Sequence, residues 1–459
     1  MSSRADFHSR FSPAYLAYFG LAVAPAVAGD ASIAGGAPWR FDSRQIAQVE
    51  SGVFGMCVAD LVPETPGPEL VTMTGDGRVV VLSQSSGGWV QQTIASGLGS
   101  VDDPRFRPTI AVGDFHSGSA GEEIVVSYLL ATTVVRRNAQ GTWIGEVIRD
   151  AEGRFGFSWG VRTGELDSTH AGEELIQLHE GILDFGSLIL TREVGGAWDD
   201  QWLSFGAVPG PVMMDARVFD HDATHAGNEI FTVTEMGPAG TIIPPDAAGG
   251  EWEYRALWND FENAGWVIAF GDVDLSQPGA ELVVGTRYHT RILVANAQSG
   301  GPVTPQLVLD APTSLKLANM LDVAVAPLSP AHAGEQIVGV DYTGRAHLVW
   351  HDPPGWRSQL VHSGADPLLA VAIGDFAPSC PTPQVVIAGN SGALWLLTPT
   401  PEGDLDSNLA VDLGDLATLL SNFGMSAGAR YEQGDADADG DVDLQDLARL
   451  LRNFGSTCA

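Results

Sequence analysis

The sequence predicts a mainly β protein, a seven-bladed β-propeller with a small C-terminal α-helical domain. Three observations lead there. A motif recurs seven times at a spacing of 48 to 55 residues, each period holds about four short apolar segments, and after residue 402 the apolar pattern becomes helical. Composition agrees: 44% of residues are apolar, 17% are charged, and 55 Gly with 27 Pro punctuate short apolar runs. Such a chain buries a core and is rich in turns.

Each repeat has an anchor, usually acidic, then a polar turn, then Glu or Gln nine residues after the anchor and an aliphatic pair. The anchors are Asp60, Asp114, Glu165, Asp220, Asp272, Pro327 and Asp375, the last two units being degenerate. In the first unit strands are expected at Phe54–Leu61, Glu69–Thr74, Arg78–Ser83 and Trp89–Ala95. The seventh unit lacks a fourth strand after Thr398, whereas residues 39–52 read like the fourth strands that begin at Trp89 and Trp356. The N-terminal segment therefore completes the last blade, which leaves no open edge.

Innermost strands alternate with period two. One face carries Phe54, Met56, Trp159, Val161, Trp266 and Ile268 and should pack between blades; the other is small, with Gly55, Ala111, Ala269 and Ala372, as convergence on an axis requires. Arg162, Asp215, Arg217 and Asp322 stand on that small face. They are expected to form an ion-pair cluster, because buried charges persist mainly when paired; a sharper reading makes them an anion or sugar-acid site at the channel mouth. Loops on one face of the disc carry Arg105, Arg107, Arg154, His179, Glu180, Glu235, Arg287, Tyr288, His289, Asp341, Tyr342 and Arg345. With Arg162 and Arg217, the trio Arg287, Tyr288 and His289 forms the expected ligand face, since loops carry most binding function. His170, His225 and His332 recur in a His-Ala-Gly turn and read as repeat-derived turn chemistry rather than a metal trio.

The Gly-Asp-(Phe/Val) and Gly-x-Glu-(Leu/Ile)-Val signatures over residues 39–400 resemble FG-GAP/VCBS-type repeats, the family that includes the integrin alpha-subunit propeller. The resemblance implies seven blades and, often, calcium in blade loops. Here only Asp220/Asp222 and Asp272/Asp274 keep two aspartates, with Glu165/Asp167 close, and capping of turns by Asp is the reading preferred.

After the linker at 399–402, the 22-residue segments Gly403–Gly424 and Gly434–Gly455 match at fourteen positions with an offset of 31. The run from Asp435 to Asp446 has the spacing of a twelve-residue calcium loop. Asp435, Asp437, Asp439 and Asp443 fall at ligand positions, Asp441 offers its carbonyl, Gly440 makes the sharp turn, and Asp446 closes the loop. The duplicate keeps Asp404, Asp406, Asn408, Asp412 and Asp415, with Ala410 at the carbonyl position and Leu409 in place of the glycine. A leucine forced to positive φ is costly, so this first loop is expected to be weaker or reshaped. A helix over Leu444–Phe454 should follow, with Leu447, Leu450, Leu451 and Phe454 on one stripe.

Residues 403–459 resemble a type I dockerin: Asp closes each loop, one helix follows each, and the unit is duplicated. The resemblance implies Ca2+-dependent docking to a cohesin-like module or at a cell surface, with partner contacts from Leu413, Gly414, Leu444, Gln445, Arg449 and Arg452. Leu413 and Leu444 replace the small hydroxyl residues that many cellulosomal dockerins use there.

Residues 1–28 have the parts of a signal peptide, with Arg4 and Arg10, an apolar stretch from Ala14 and an Ala-Val-Ala site at 26–28, which implies export. The propeller is then 29–398 and the tail domain 403–459. No stretch reaches transmembrane length. Three cysteines, Cys57, Cys380 and Cys458, allow at most one disulfide. The net charge of −34, with a single lysine at Lys316, excludes a nucleic-acid binder. Function reads as a secreted, non-catalytic scaffold that binds carbohydrate or another surface protein. The alternative is a polysaccharide hydrolase or lyase, although no facing carboxylate pair can be nominated.

Overall fold

The computed structural model describes residues 39–458 apart from 63–66, 86, 102–108, 117–120, 129–130, 151–155, 167–171, 182–186, 204–212, 221–224, 226, 235–237, 246–249, 260–262, 297–300, 312–319, 330–331, 353–354, 378, 381 and 438. Side chains at 150, 156–159, 179–181, 187 and 238 also lie outside the description. The signal-peptide reading, Arg105, Arg107, Arg154, Asp167, His170, Asp222 and Glu235 therefore fall outside it, as do the side chains of Trp159, His179 and Glu180.

Seven four-stranded antiparallel sheets form the blades, and each of the first six takes its strands in sequence order. The innermost strands are Val53–Ala59, Thr109–Gly113, Gly156–Gly164, Met213–Phe219, Gly265–Gly271, Met320–Ala326 and Leu368–Gly374. The second strands, such as Glu69–Thr74 and Gln336–Asp341, are buried at every position, because both of their faces meet neighbouring blades. In the seventh sheet the outer strand is Phe41–Gln48, paired with Ala393–Pro399, so the N-terminal segment closes the ring. Trp39 secures that closure. Its backbone N–H donates to Gln359 Oε1 at 2.7 Å, its carbonyl accepts from Gln359 Nε2 at 2.6 Å, and its ring stacks on His332.

The repeat signature has a direct structural cause. The Glu or Gln nine residues past the anchor is buried in every blade, and in blades one to three and five to seven it turns back to accept backbone N–H groups of its own turn. Glu69 Oε2 takes Leu61 and Val62, Glu281 Oε2 takes Val273 and Asp274, and Gln336 Oε1 takes Leu328 and Ser329. The glutamines of the degenerate blades do the same job with an amide oxygen. The glycine before the anchor answers a packing need. A Cβ on Gly374 would come 3.0 Å from Val58, and one on Gly113 would come 3.2 Å from Thr163, each on the inner strand of the next blade.

One expectation needs correction. The inner-strand alternation is not strict: register shifts at Phe54, Trp159, Met214, Trp266, Leu321 and Leu369 mark a bulge at one position in six blades. A bulged residue opposes no single partner and bends the strand. The large side chains nevertheless pack between blades where described, and Phe54, Trp266 and Leu321 are buried.

Two helices follow the last blade, α1 (Leu413–Asn422) and α2 (Leu444–Arg452). Each begins with a capping box, Asp412 with Asp415 and Asp443 with Asp446, which satisfies N–H groups that the helix itself leaves unbonded. Their core is Leu405, Val411, Leu419, Val442 and Leu450. Gly403 and Gly434 sit against the opposite helix, where a Cβ would come 3.0 Å from Leu450 Cα and Leu419 Cα respectively. The helix expected to reach Phe454 ends at Arg452, and its stripe divides: Leu450 is buried and Leu447 lines the core, whereas Leu451 on the helix and Phe454 beyond it are exposed. The core of a two-helix unit is narrow, so it covers only the part of each helix that faces its partner.

The tail is fixed to the propeller. Cys380 of the seventh blade and Cys458 form a disulfide, Arg40 pairs with Glu432 at 3.1 Å, and the Arg40 guanidinium lies over the Tyr431 ring. Cys57 remains a thiol, and burial pushes its pKa up. Among the described residues, no helix is long and apolar enough to cross a membrane.

Candidate functional site

Two places hold the sequence-predicted site residues, the tail loops and the central channel. In the tail, the sequence folds the two loops alike because equivalent residues make equivalent bonds. Asp415 Oδ1 accepts the N–H of Leu405 at 2.7 Å and Asp446 Oδ1 that of Ala436 at 2.7 Å. Their second oxygens take Asp412 N–H and Asp443 N–H. Asp404 Oδ2 accepts from Leu409 N–H at 2.9 Å and Asp435 Oδ2 from Gly440 N–H at 3.1 Å. The loops are also paired across the module. Val411 bonds Ser456 and Gly455 beyond α2, and Val442 bonds Met425 and Gly424 beyond α1.

Carboxylate oxygens gather in three groups, each with ligand atoms within 4.8 Å of one another: Asp404, Asp406 and Asp415; Asp435, Asp437 and Asp439; and Asp441, Asp443 and Asp446. All donors are oxygen, which is the chemistry of a hard divalent cation such as Ca2+. Oδ1 of Asp441 is buried with no hydrogen-bond partner. Burial, with the charge of Asp415 adding to it, pushes Asp404 up to about 6. Burial and the neighbouring Asp446 and Asp439 raise Asp435 and Asp437. This donor set fits a cation. Asp441 was expected to offer its carbonyl; its carboxylate stands with those of Asp443 and Asp446 as well. Asn408 N–H donates to Asp404 and Asp406, and its side-chain oxygen accepts from Ala410 N–H.

Leu409 adopts the left-handed conformation that glycine supplies in the second loop, with φ 65° against 94° for Gly440. Its side chain has a partner that the sequence could not disclose: it packs on Ala377, Cys380 and Cys458 of the blade-seven clamp.

The predicted partner residues lie around the helix starts. Leu413 is 72% exposed and Leu444 70%. Two further pairs at the same 31-residue offset were missed by the sequence reading: Leu420 and Leu451 at 54% and 52%, and Phe423 and Phe454 at 45% and 43%. The matching letters in the duplicated segments were the available signal. Gly414 and Gln445 donate N–H to the caps Asp412 and Asp443, and Arg449 pairs with Glu402 at 2.8 Å. Arg452 lies in the last turn of α2.

In the channel, Arg162 and Arg217 converge on one oxygen of the buried Asp215, at 2.6 and 3.0 Å. The other oxygen accepts the N–H of Ile268 in the next blade. Asp322 holds Val371 N–H across its own seam at 3.0 Å. Arg162, Asp215 and Arg217 thus form an ion-pair cluster, and both aspartates stitch blades together. The Arg287 guanidinium lies over Trp266 at 5.0 Å and Tyr288 at 5.3 Å, and the His289 carbonyl accepts from the Thr286 hydroxyl. His225 bonds Glu229 and His332 bonds Asp352, so these two histidines serve separate local pairs. Asp274 caps Ser276, in keeping with turn chemistry in that blade loop.

No family model matches the chain, and no curated protein matches it. Among solved structures, the crystal structure of BBS1N in complex with ARL6DN, soaked with lead, matches with a TM-score of 0.51 at 12% sequence identity, over 79% of this chain and 97% of that one. At such identity the likeness is one of fold alone.

Proposed function

We propose that this protein is an exported, non-catalytic scaffold, a propeller held to a cohesin-like protein partner through its two-helix tail, with Ca2+ completing the tail loops. The observation that carries this reading is the set of three exposed apolar pairs, Leu413/Leu444, Leu420/Leu451 and Phe423/Phe454, repeated on and just beyond both helices of a small module. Exposed apolar side chains grouped this way on so small a unit favour burial against another protein. The donor sets of the loops support Ca2+ as the ion that fixes the helix starts from which Leu413 and Leu444 project. In the propeller, Arg162, Arg217 and Arg287 are engaged by Asp215, Trp266 and Tyr288, which supports a scaffold role for that part.

The test is binding of the full chain to a cohesin-like module, with Ca2+ and with a chelator. Capture in Ca2+, its loss in chelator and its loss in the L413D/L444D double variant are expected. Equal binding in all three conditions would defeat the proposal. Hydrolysis or eliminative cleavage of an acidic or neutral polysaccharide, lost on substituting Arg287 or His289, would replace it with the enzymatic reading.

A further inference from the structure

We infer that Leu409 is the residue that sets the affinity of the first tail loop for Ca2+, and that the Cys380–Cys458 disulfide holds it in its binding shape. The inference rests on the Ca2+ reading of the loops given above and adds a coupling between one loop and the seventh blade.

The two loops need the same backbone turn, because the N–H at the sixth position must reach the first aspartate: Leu409 to Asp404 Oδ2, Gly440 to Asp435 Oδ2. Glycine adopts that left-handed conformation freely, whereas a leucine resists it. Something outside the loop must therefore hold Leu409. The side chain rests on Ala377, Cys380 and Cys458, its carbonyl accepts the N–H of Cys458 at 2.7 Å, and the neighbouring Ala410 bridges to Thr457. Every one of these contacts reaches the chain terminus or the seventh blade, and the disulfide ties the terminus to that blade. The second loop makes the matching backbone bonds, but the segment that receives them carries no disulfide and its sixth residue has no side chain to seat. The Gly440 carbonyl accepts from Ala429, and Val442 bonds Gly424 and Met425, all inside the tail.

Reduction by a dithiol delivers two electrons and two protons, breaks the S–S bond and leaves two thiols, while the dithiol becomes its own disulfide. Residues 456–458 then lose their covalent tie, Leu409 loses the surface that offsets its conformation, and its N–H no longer holds Asp404 in place. The first loop weakens and the second does not. An oxidising compartment keeps both loops competent.

The experiment is Ca2+ titration calorimetry on the full chain in a C57A background, oxidised and after dithiol reduction, with the thiol count recorded. Two sites are expected in the oxidised chain. On reduction, or in the C380S/C458S variant, one site weakens about tenfold, equivalent to about 1.4 kcal/mol, and the other keeps its affinity. D439A, which takes a ligand from the second loop only, assigns the responding site to the first. L409G should abolish the response to reduction, because glycine needs no external support. Two sites that titrate identically in both redox states, or that weaken together, overturn the coupling while leaving the Ca2+ reading intact. Absence of any Ca2+ binding in the oxidised chain overturns both.

Discussion

The carboxylate of Asp215 in the fourth blade accepts the backbone N–H of Ile268 in the fifth at 2.9 Å, while its other oxygen holds Arg162 and Arg217. One side chain thus closes a seam between blades and pairs with both arginines. Thr109 and Asp322 occupy the same repeat position and bond Val161 and Val371 of their following blades, so alternate seams share the device. A bulge sits just before this position in the strands of Asp215 and Asp322, whereas Thr109 reaches across from a strand without one.

Replacing Asp215 with alanine should therefore cost more than replacing Asp322. D215A strands two channel arginines and an N–H group, for which about 3–5 kcal/mol is expected. D322A should cost about 1–3 kcal/mol through its lost backbone acceptor role. Denaturant unfolding of the two variants side by side measures the difference. Equal losses would mean that the arginines do not depend on Asp215.

Glu281 is buried, and that burial, with Asp272 and Asp274 nearby, raises its pKa although Val273 and Asp274 donate to it. A carboxyl that binds its proton more tightly when folded favours the folded chain at low pH. That contribution is fully present below the ordinary carboxylate value and is lost as pH rises through the raised one. E281Q keeps the acceptor, as Gln336 and Gln384 do, and should flatten this part of the stability–pH curve while changing neutral-pH stability by less than about 1 kcal/mol. E281A should cost about 1–3 kcal/mol by orphaning the turn. Unfolding midpoints of the three proteins from mildly acidic to neutral pH decide it.

Asp446 is buried and accepts three backbone N–H groups, from Ala436, Asp437 and Asp443. D446A should open the second loop and lower Ca2+ stoichiometry from about two ions per chain to about one. The propeller transition should remain. Calorimetric titration with thermal unfolding reports both quantities, and an unchanged stoichiometry would remove Asp446 from the ligand set.

Trp39 is gripped by His332, Trp350 and Gln359 where the ring closes. W39A should cost about 3–5 kcal/mol. Its first effect should be faster hydrogen exchange along Ala393–Pro399, the strand that Phe41–Gln48 covers. Uniformly faster exchange in all blades would place the closure elsewhere.

Much of this was legible because it repeats. Seven copies of an anchor and a Glu or Gln nine residues later expose the blade period, and each of the seven Glu or Gln residues is buried. The missing last strand and the spare N-terminal one likewise follow from counting. The bulge was not legible, since a bulged strand and a regular one share the same apolar letters. The disulfide pairing was not legible either, because Cys57, Cys380 and Cys458 offer three pairings and only the path of the chain selects one. On α2 the helical period placed Leu450 and Leu451 on one stripe, but the narrow core covers the first and leaves the second exposed.

The sequence by itself determined the blade number, the closing strand and the duplicated acidic loops, because each follows from local pattern. Tertiary structure decided what the exceptional residues do. Asp215 became a seam between blades, Leu409 a side chain seated on the disulfide that joins tail to propeller, and Leu451 and Phe454 exposed apolar side chains. Asp215 and Leu409 share one physical reason. A residue that breaks the local rule is stabilised by groups distant in sequence, and only the folded chain brings those groups within reach.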